Sequence, residues 1–234
     1  MYLNNDTLDS RALRYTDCYG QRFMRAGTFR YHVMPSGGRD VNLERPYVVN
    51  VGERKRDGKM SQHSIALQWR DRTFVPSERE IDIEVGDIVV WNCPNRDAPP
   101  YEVVGEKEFF ASSQMVNECG FSHAFGMPGA YEWGDAHGSD VGGVVHVDKL
   151  TCKSRGDLAR WRAQLAKAAL VMINDGVAKP TDVRIVTGQT VYFAIVTSKG
   201  MTVTDRRLIN VGTKSPSEVD KPATKQEKGR KQAR

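Results

Sequence analysis

The sequence predicts an all-β protein, and three observations carry that prediction. Short segments alternate apolar and polar residues with a period of two, as residues 81–85 do. Turn signals such as Gly86-Asp87 separate these segments. The chain of 234 residues contains 21 glycines and 10 prolines, which suits a turn-rich β protein, and its 39% hydrophobic content is enough to form a core.

The central block, residues 61–150, contains the signals expected of one complete β unit. Residues 63–69 alternate and predict a first strand, while residues 81–85 and 88–91 predict two strands that flank a tight turn. Residues 144–147 predict the closing strand. We therefore interpret this block as a self-contained domain.

The N-terminal 55 residues resemble the second half of the central block. Residues 23–32 follow the same pattern as residues 125–133, in which an aromatic residue and a glycine turn precede an aromatic–polar–aromatic strand. Signals for the first half of such a unit are missing from residues 1–55.

The missing signals occur near the C-terminus, where residues 180–193 follow the pattern of residues 81–91. A half-unit cannot bury both faces of its sheets, and its open edge would aggregate. We therefore predict that residues 1–55 and 180–212 complete each other as a circularly permuted second unit, within one chain or between two subunits.

Residues 154–176 predict one α-helix that connects the two units. Apolar residues recur there at helical spacing: Leu158, Trp161, Leu165, Ala168, Ala169 and Met172. Ser154 and Asp157 form a variant of the capping box at its start, and Gly176 is a plausible stop.

The last segment, residues 213–234, is polar and lysine-rich, which predicts a disordered tail. Seven basic and three acidic residues give this tail a net charge of +4, whereas the whole chain carries +5. If the chain binds nucleic acid or another acidic partner, the tail is the segment expected to do so, since the body of the chain carries a net charge of only +1.

Residues 81–91 and 121–133, together with His137 and residues 143–147, resemble the cupredoxin family. Cupredoxins are the Greek-key β-barrels that hold copper in plastocyanins, nitrite reductases and multicopper oxidases. The resemblance implies two cupredoxin-like Greek-key barrels or sandwiches with one connecting helix, the second unit being built from both chain ends. The resemblance implies either no cofactor or a single metal ion, for which copper is the first candidate.

The resemblance also implies that most copper ligands have been replaced. Tyr101 stands where the first histidine is expected, Asp135 stands where the thiolate is expected, and His137 lies one residue from the second histidine position. A type I copper site needs two imidazoles and a thiolate, so the resemblance implies a non-blue site. Alternatively, Asp135, His137 and Tyr101 could together bind a harder ion such as Zn, Fe or Cu(II).

His32 and Met34 are a second candidate pair of metal ligands. They follow a strand after which multicopper oxidases carry His-x-His, so they could form a mixed nitrogen–sulfur copper site at a domain interface. Five histidines are too few for a trinuclear copper cluster within one chain. We interpret His63, His123 and His146 as polar residues on strand faces.

The four cysteines show no C-x-x-C spacing and are expected to be free thiols. Cys93 and Cys119 match no copper-ligand position. No catalytic residue is assigned, because the sequence has no Gly-x-Ser-x-Gly elbow, phosphate loop or His-Glu-x-x-His motif.

Together, these observations predict a cupredoxin-like protein with a degenerate, non-blue site that serves in assembly or partner binding, as a homo-oligomer or with another protein. The alternative is a copper-dependent oxidoreductase whose altered site around Asp135 and His137 is shared across a subunit interface. No membrane association is expected, because no apolar run is long enough to cross a bilayer. The N-terminus lacks a signal-peptide pattern, so a cytoplasmic location is expected unless the chain is the processed form of an exported protein.

Overall fold

The computed structural model describes residues 7–38, 45–55, 58–108, 110–151 and 153–209. The first eight strands are β1 (Cys18–Arg22), β2 (Gly27–Pro35), β3 (Tyr47–Gly52), β4 (Gln62–Arg70), β5 (Thr73–Pro76), β6 (Glu80–Glu84), β7 (Ile88–Asn92) and β8 (Tyr101–Gly105). The next eight are β9 (Cys119–Ala124), β10 (Gly129–Asp135), β11 (Gly142–Asp148), β12 (Ala169–Asn174), β13 (Val177–Lys179), β14 (Asp182–Val186), β15 (Thr190–Thr197) and β16 (Val203–Asp205). The helices are α1 (Arg155–Leu165) and the single turn α2 (Arg206–Ile209), with a 3-10 turn at Glu106–Glu108. The predicted all-β class is therefore confirmed.

The described strands form three open sheets instead of the predicted barrels. An eight-stranded sheet has the order β13-β12-β15-β9-β1-β7-β4-β5. Two four-stranded sheets have the orders β6-β3-β2-β8 and β14-β11-β10-β16. Both small sheets pack on the same face of the large sheet, where their aromatic side chains meet those of the large sheet: Tyr31 contacts Trp91 and Trp133 contacts Phe193, with ring centroids 5.2 and 5.0 Å apart.

The eight strands β1–β8 and the eight strands β9–β16 are two copies of one arrangement. In the large sheet, β1-β7-β4-β5 corresponds to β9-β15-β12-β13, and the two small sheets correspond strand by strand. We call residues 18–105 the first repeat and residues 119–205 the second repeat. The repeats meet along the antiparallel pair β1 and β9, where Gly20 lies opposite Gly120.

The predicted assignment of strands to units is wrong. Strand β6 pairs in parallel with β3, so that Ile81 lies opposite Val49. Strand β11, predicted to close the central block, pairs in parallel with β14, so that Val145 lies opposite Val183. Each repeat is therefore complete within a contiguous stretch of chain. In each repeat, the strands that resemble the second half of the predicted unit (β2 and β3, or β10 and β11) precede the strands that resemble its first half (β6 and β7, or β14 and β15).

This pairing divides the predicted block 61–150 between the two repeats and separates residues 1–55 from residues 180–212. The physical reason is the internal repeat itself, because β6 and β14 have the same alternation and either could complete β3 or β11. Each of these strands pairs with the nearest preceding copy. That choice keeps the loops short, which lowers the entropy lost on closing them.

The two ends of the described chain do meet, but through a short segment and not through the predicted strand faces. The amide of Ser10 donates to the carbonyl of Val203 at 2.9 Å, and the amide of Leu13 donates to the carbonyl of Tyr101 at 2.8 Å. Residues 8–13 therefore connect the edge strands β16 and β8 of the two small sheets.

The connecting helix is shorter than predicted. Helix α1 starts at the N-cap Ser154, whose side chain accepts a hydrogen bond from the amide of Asp157 in a capping box. The predicted continuation to residue 176 is wrong, because the chain enters β12 after the helix ends. Val171 and Ile173 of that strand are fully buried, and pairing with β15 satisfies its backbone.

Within the described ranges, no helix is long and apolar enough to span a membrane. The tail predicted for residues 213–234 lies outside the described residues, and so does Cys152.

Candidate functional site

The structure separates Tyr101 from the other two predicted metal ligands. Tyr101 lies in β8 of the first repeat, fully buried, with its ring 5.3 Å from that of Phe74. Burial raises the pKa of its hydroxyl well above the usual value, so the phenolate form is disfavoured. Asp135 and His137 belong to the second repeat, and no hydrogen bond or ion pair of the described residues connects them with Tyr101.

Asp135 and His137 are brought together by the backbone around Thr202. One carboxylate oxygen of Asp135, Oδ1, accepts hydrogen bonds from the amides of Thr202 at 2.9 Å and of His137 at 3.1 Å. Asp135 is only 3% exposed. The carboxylate therefore anchors the β10–β11 loop to the start of β16.

The imidazole of His137 is part of the same network. Its Nε2 lies 3.0 Å from the hydroxyl of Thr202, and that hydroxyl donates to the carbonyl of Ser113. Because a hydroxyl has a single hydrogen to donate, Nε2 of His137 must carry the hydrogen of the bond to Thr202. In this arrangement Nε2 is not free to bind a metal ion.

His32 and Met34 lie on β2, two residues apart on the face opposite the buried Tyr31 and Val33. Both are half-buried. Among the described residues, no group of three or more histidine, cysteine, aspartate or glutamate side chains is arranged to hold a metal ion.

The described cysteines do not supply a thiolate. Cys93 and Cys119 are buried, Cys18 is half-buried, and all three are free. Burial raises the pKa of each thiol, and that of Cys119 reaches about 12. A thiol with such a pKa is protonated near neutral pH when no metal is bound.

Comparison with family models, with curated proteins and with solved structures gave no match to this chain.

A cleft of about 480 Å³ opens beside Asp135, and we call it the Asp135 cleft. It lies at one end of the second repeat, between the β10–β11 loop, the β12–β13 turn and the β15–β16 loop. Its polar lining consists of Asn117, Asp135, Ser139, Asp175, Thr197, Ser198 and Lys199. This volume falls in the range of sites that bind small molecules.

The β12–β13 turn gives the Asp135 cleft a rigid wall. Asp175 and Gly176 form a two-residue hairpin turn with φ angles of 47° and 79°, the geometry of a type I′ turn. The hydroxyl of Thr197 accepts a hydrogen bond from the amide of Asp175 at 3.1 Å and lies within 2.7 Å of a side-chain oxygen of both Asn174 and Asp175, which fixes the turn against the end of β15. Nothing in the sequence pattern places this turn next to Asp135, because 40 residues separate them and only the pairing of the sheets brings them together.

A larger and more open cleft, of about 890 Å³, lies in the first repeat beside His63 and Asp87. Four of the titratable side chains that line it are in ion pairs. Asp87 lies 3.2 Å from Nε2 of His63 and 3.5 Å from the guanidinium of Arg54, and Lys55 lies 3.8 Å from Glu84. Glu53, Lys59 and Asp82 complete its charged lining.

His123 lies on strand β9, as the pattern predicts, and has an aspartate partner in the structure. Its Nδ1 lies 2.9 Å from Oδ1 of Asp17, and both side chains are fully buried. The ring also packs edge-on against Phe125 at 4.7 Å. The pair joins β9 of the second repeat to the segment before β1. The alternation of His123 with Phe121 and Phe125 points to its interior position, but no local signal identifies Asp17.

Proposed function

We propose that this chain is an assembly module in which two cupredoxin-like sandwiches without a blue copper centre share one sheet, and that this sheet binds a second copy of the chain. The observation that carries the proposal is the side-chain content of one face of the eight-stranded sheet. We call it the outer face, because it points away from the two small sheets.

Two neighbouring rows of cross-strand partners cross the outer face, each six strands wide from β12 to β4. One row consists of Met172, Ala194, Gly120, Gly20, Val90 and Ser64. The other consists of Leu170, Tyr192, Ser122, Cys18, Asn92 and Ala66. None of these twelve side chains carries a charge at neutral pH, since burial raises the pKa of both Cys18 and Tyr192. Leu170 and Met172 are exposed apolar side chains within this strip, and exposed apolar patches on a protein surface mark interaction sites.

The uncharged strip has the size of the central part of a dimer interface. Its six strands spaced ~4.8 Å apart, with about four residues each at ~3.3 Å, cover roughly 380 Å². Two such strips in contact would bury about 760 Å², so the residues that border the strip, among them Lys179 beside Met172, must supply the rest of a specific, stable interface.

The relief of the outer face is self-complementary. Leu170 and Met172 on β12 are 46% and 47% exposed and form a ridge three strands from the seam between β1 and β9. At the same distance on the other side lies β4, which presents the small residues Ser64 and Ala66. A two-fold axis parallel to the strands, above the seam, places the ridge of one copy over the small residues of the other. Such a contact is isologous and closes as a dimer.

The non-blue character of the proposal is supported by the donor groups around Asp135. Oδ1 of Asp135 and Nε2 of His137 are already hydrogen-bonded within the protein, and the described thiols are protonated. These residues do not fit a type I copper site, which requires two imidazoles and a thiolate. Addition of Cu(II) to the purified protein should therefore produce no intense visible thiolate-to-copper band. A strong band would favour the alternative, a copper-dependent redox protein.

The assembly proposal is tested by sedimentation equilibrium of the full chain and of charged variants. We expect a dimer that Leu170→Arg and Met172→Arg each dissociate, because a buried unpaired guanidinium is costly. Ser64→Arg should have the same effect, since Ser64 lies opposite the ridge. Met127→Arg is the matched control: Met127 is 40% exposed but lies outside both rows, so its variant should remain dimeric. A wild-type chain that is monomeric at the highest attainable concentration, or a dimer that survives all three substitutions, would overturn the proposal.

A further inference from the structure

The carboxylate of Asp135 is a buried charge without a cationic partner. It is 3% exposed and accepts only the two backbone amide hydrogen bonds, both at Oδ1. Its second oxygen, Oδ2, has no hydrogen-bond partner among the described residues, although the side chain lines the Asp135 cleft. No ion pair of the described part of the chain includes it. Oδ2 can therefore accept a charge-assisted hydrogen bond from a positively charged group in the cleft.

The remaining lining of the cleft defines what kind of cation would fit. Val141, Ile173 and Met201 are buried side chains that give the cleft an apolar floor. Asn117, Ser139 and Ser198 give it a polar rim. A small inorganic cation would leave the apolar floor uncovered, whereas an organic cation with an apolar body would cover it.

The charges of the lining favour cations over anions as ligands. Asp135 and Asp175 contribute two negative charges, and Lys199 at the exposed edge contributes one positive charge, so the cleft carries a net charge of −1. Phosphates and carboxylic acids would meet the two carboxylates. A ligand with one positive charge would neutralise the cleft.

From this geometry we infer that the Asp135 cleft binds a protonated primary amine on an apolar body, with the ammonium group at Oδ2 of Asp135. The ammonium has three hydrogens to donate, and a charge-assisted hydrogen bond to a desolvated carboxylate is among the strongest that proteins form. Such an amine can be a free small molecule or the lysine side chain of another protein.

The inference is tested by NMR titration of the full-length chain with three probes of similar shape. Phenethylamine carries the ammonium group, 2-phenylethanol is neutral, and 3-phenylpropionate is anionic. Only phenethylamine should bind, and it should shift the amide signals of Thr202 and His137, because both amides donate to the carboxylate that receives the ligand. A parallel titration with Nα-acetyl-lysine methylamide distinguishes the two sources of the amine. If this probe binds more tightly than phenethylamine, the ligand is a lysine side chain; if it binds more weakly, the ligand is a free amine.

Asp135→Asn is the decisive variant, since asparagine keeps an oxygen to accept from both amides but loses the charge. It should weaken phenethylamine binding more than about tenfold. The control Asp140→Asn makes the same charge change in the same loop at an exposed residue that does not line the cleft, and it should leave binding unchanged. Absence of phenethylamine binding, equal binding of 2-phenylethanol, or undiminished binding by a folded Asp135→Asn variant would each overturn the inference. If that variant does not fold, the titration of the wild type tests the inference alone. Binding of phenethylamine without shifts of the Thr202 and His137 amide signals would then overturn it.

Discussion

Two histidine–aspartate pairs lie at opposite extremes of burial in this molecule. His123 and Asp17 have no exposed side-chain surface, and the distance between Nδ1 and Oδ1 is 2.9 Å. His146 and Asp182 are 3.6 Å apart, and their side chains are 40% and 70% exposed. Burial determines how much each pair contributes to the free energy of unfolding, because water replaces a lost partner at the surface but not in the core.

We predict that His123→Phe lowers the free energy of unfolding by about 3–5 kcal/mol, because it leaves the Asp17 carboxylate buried without its imidazole donor. Chemical denaturation of the purified variant measures this change. His146→Phe, the exposed control, should cost less than about 1 kcal/mol.

A double-mutant cycle shows whether the loss comes from the pair itself. The variant His123→Phe/Asp17→Leu should recover much of the stability lost in His123→Phe, because it removes the stranded carboxylate. Additive effects of the two substitutions would contradict this explanation.

The turn between β6 and β7 shows how corresponding elements of the two repeats are anchored by different chemistry. In the first repeat, the carboxylate of Asp87 accepts from the amides of Ser61 at 2.8 Å and Glu84 at 3.1 Å. In the second repeat, Gln189 takes the corresponding position and accepts from the amide of Val186 at 3.1 Å. The anchor of the first repeat is therefore ionisable, whereas that of the second is not.

Asp87 should make the stability of the protein depend on acid pH. Burial of Asp87 acts to raise the pKa of its carboxyl, but the hydrogen bonds from Ser61, Glu84 and His63 together outweigh burial and hold the pKa below the usual 3.8. A carboxyl with a depressed pKa in the folded state stabilises above its unfolded pKa, and this contribution is lost as the pH falls through the folded pKa.

We therefore predict that Asp87→Asn lowers the free energy of unfolding by about 1–3 kcal/mol at neutral pH, because a carboxamide leaves one of the donors unpaired. The difference from the wild type should shrink as the pH is lowered below about 4. Denaturant titrations of both proteins between pH 7 and 3 measure it. A difference that stays constant over this range would show that the carboxylate charge plays no part.

At the scale of the whole molecule, the eight-stranded sheet joins the two repeats. Phe121 lies opposite Tyr19 across the β1–β9 seam, on the face covered by the small sheets. The buried apolar side chains of both repeats belong to one continuous core cluster. Within that core, each small sheet depends on strands of its own repeat.

The strand pairing predicts which region loses its structure when part of the chain is removed. Without residues 182–205, β11 loses its parallel partner β14 and β10 loses its partner β16. Amides of β10 and β11 should therefore exchange much faster with solvent, whereas amides of β2 and β3, whose partners remain, should keep more of their protection. Hydrogen exchange followed by mass spectrometry compares the truncated chain with the full chain. A greater loss of protection from exchange in β2 and β3 than in β10 and β11 would contradict the observed topology.

Most individual elements follow from the local sequence. The alternation of residues 81–85, the Gly86 turn and the N-cap Ser154 each appear in the structure where the pattern predicts them. The internal similarity of residues 81–91 to residues 180–193 is also visible in the sequence and corresponds to equivalent strands. Period-two alternation and turn residues act over a few neighbours, so these features need no knowledge of the rest of the chain.

The sequence by itself therefore determined the all-β class, most strands and the existence of a repeat, because backbone conformation and the exposure of each face are set by near neighbours. The tertiary structure decided which copy of a strand pairs with which, since β6 and β14 carry the same pattern and only chain connectivity and packing distinguish them. The tertiary structure also forms the Asp135 cleft, in which Asp135, Asp175 and Lys199 come from three separate loops. Side chains that are distant in sequence meet only through the register of the sheets, and that register is a property of the whole fold.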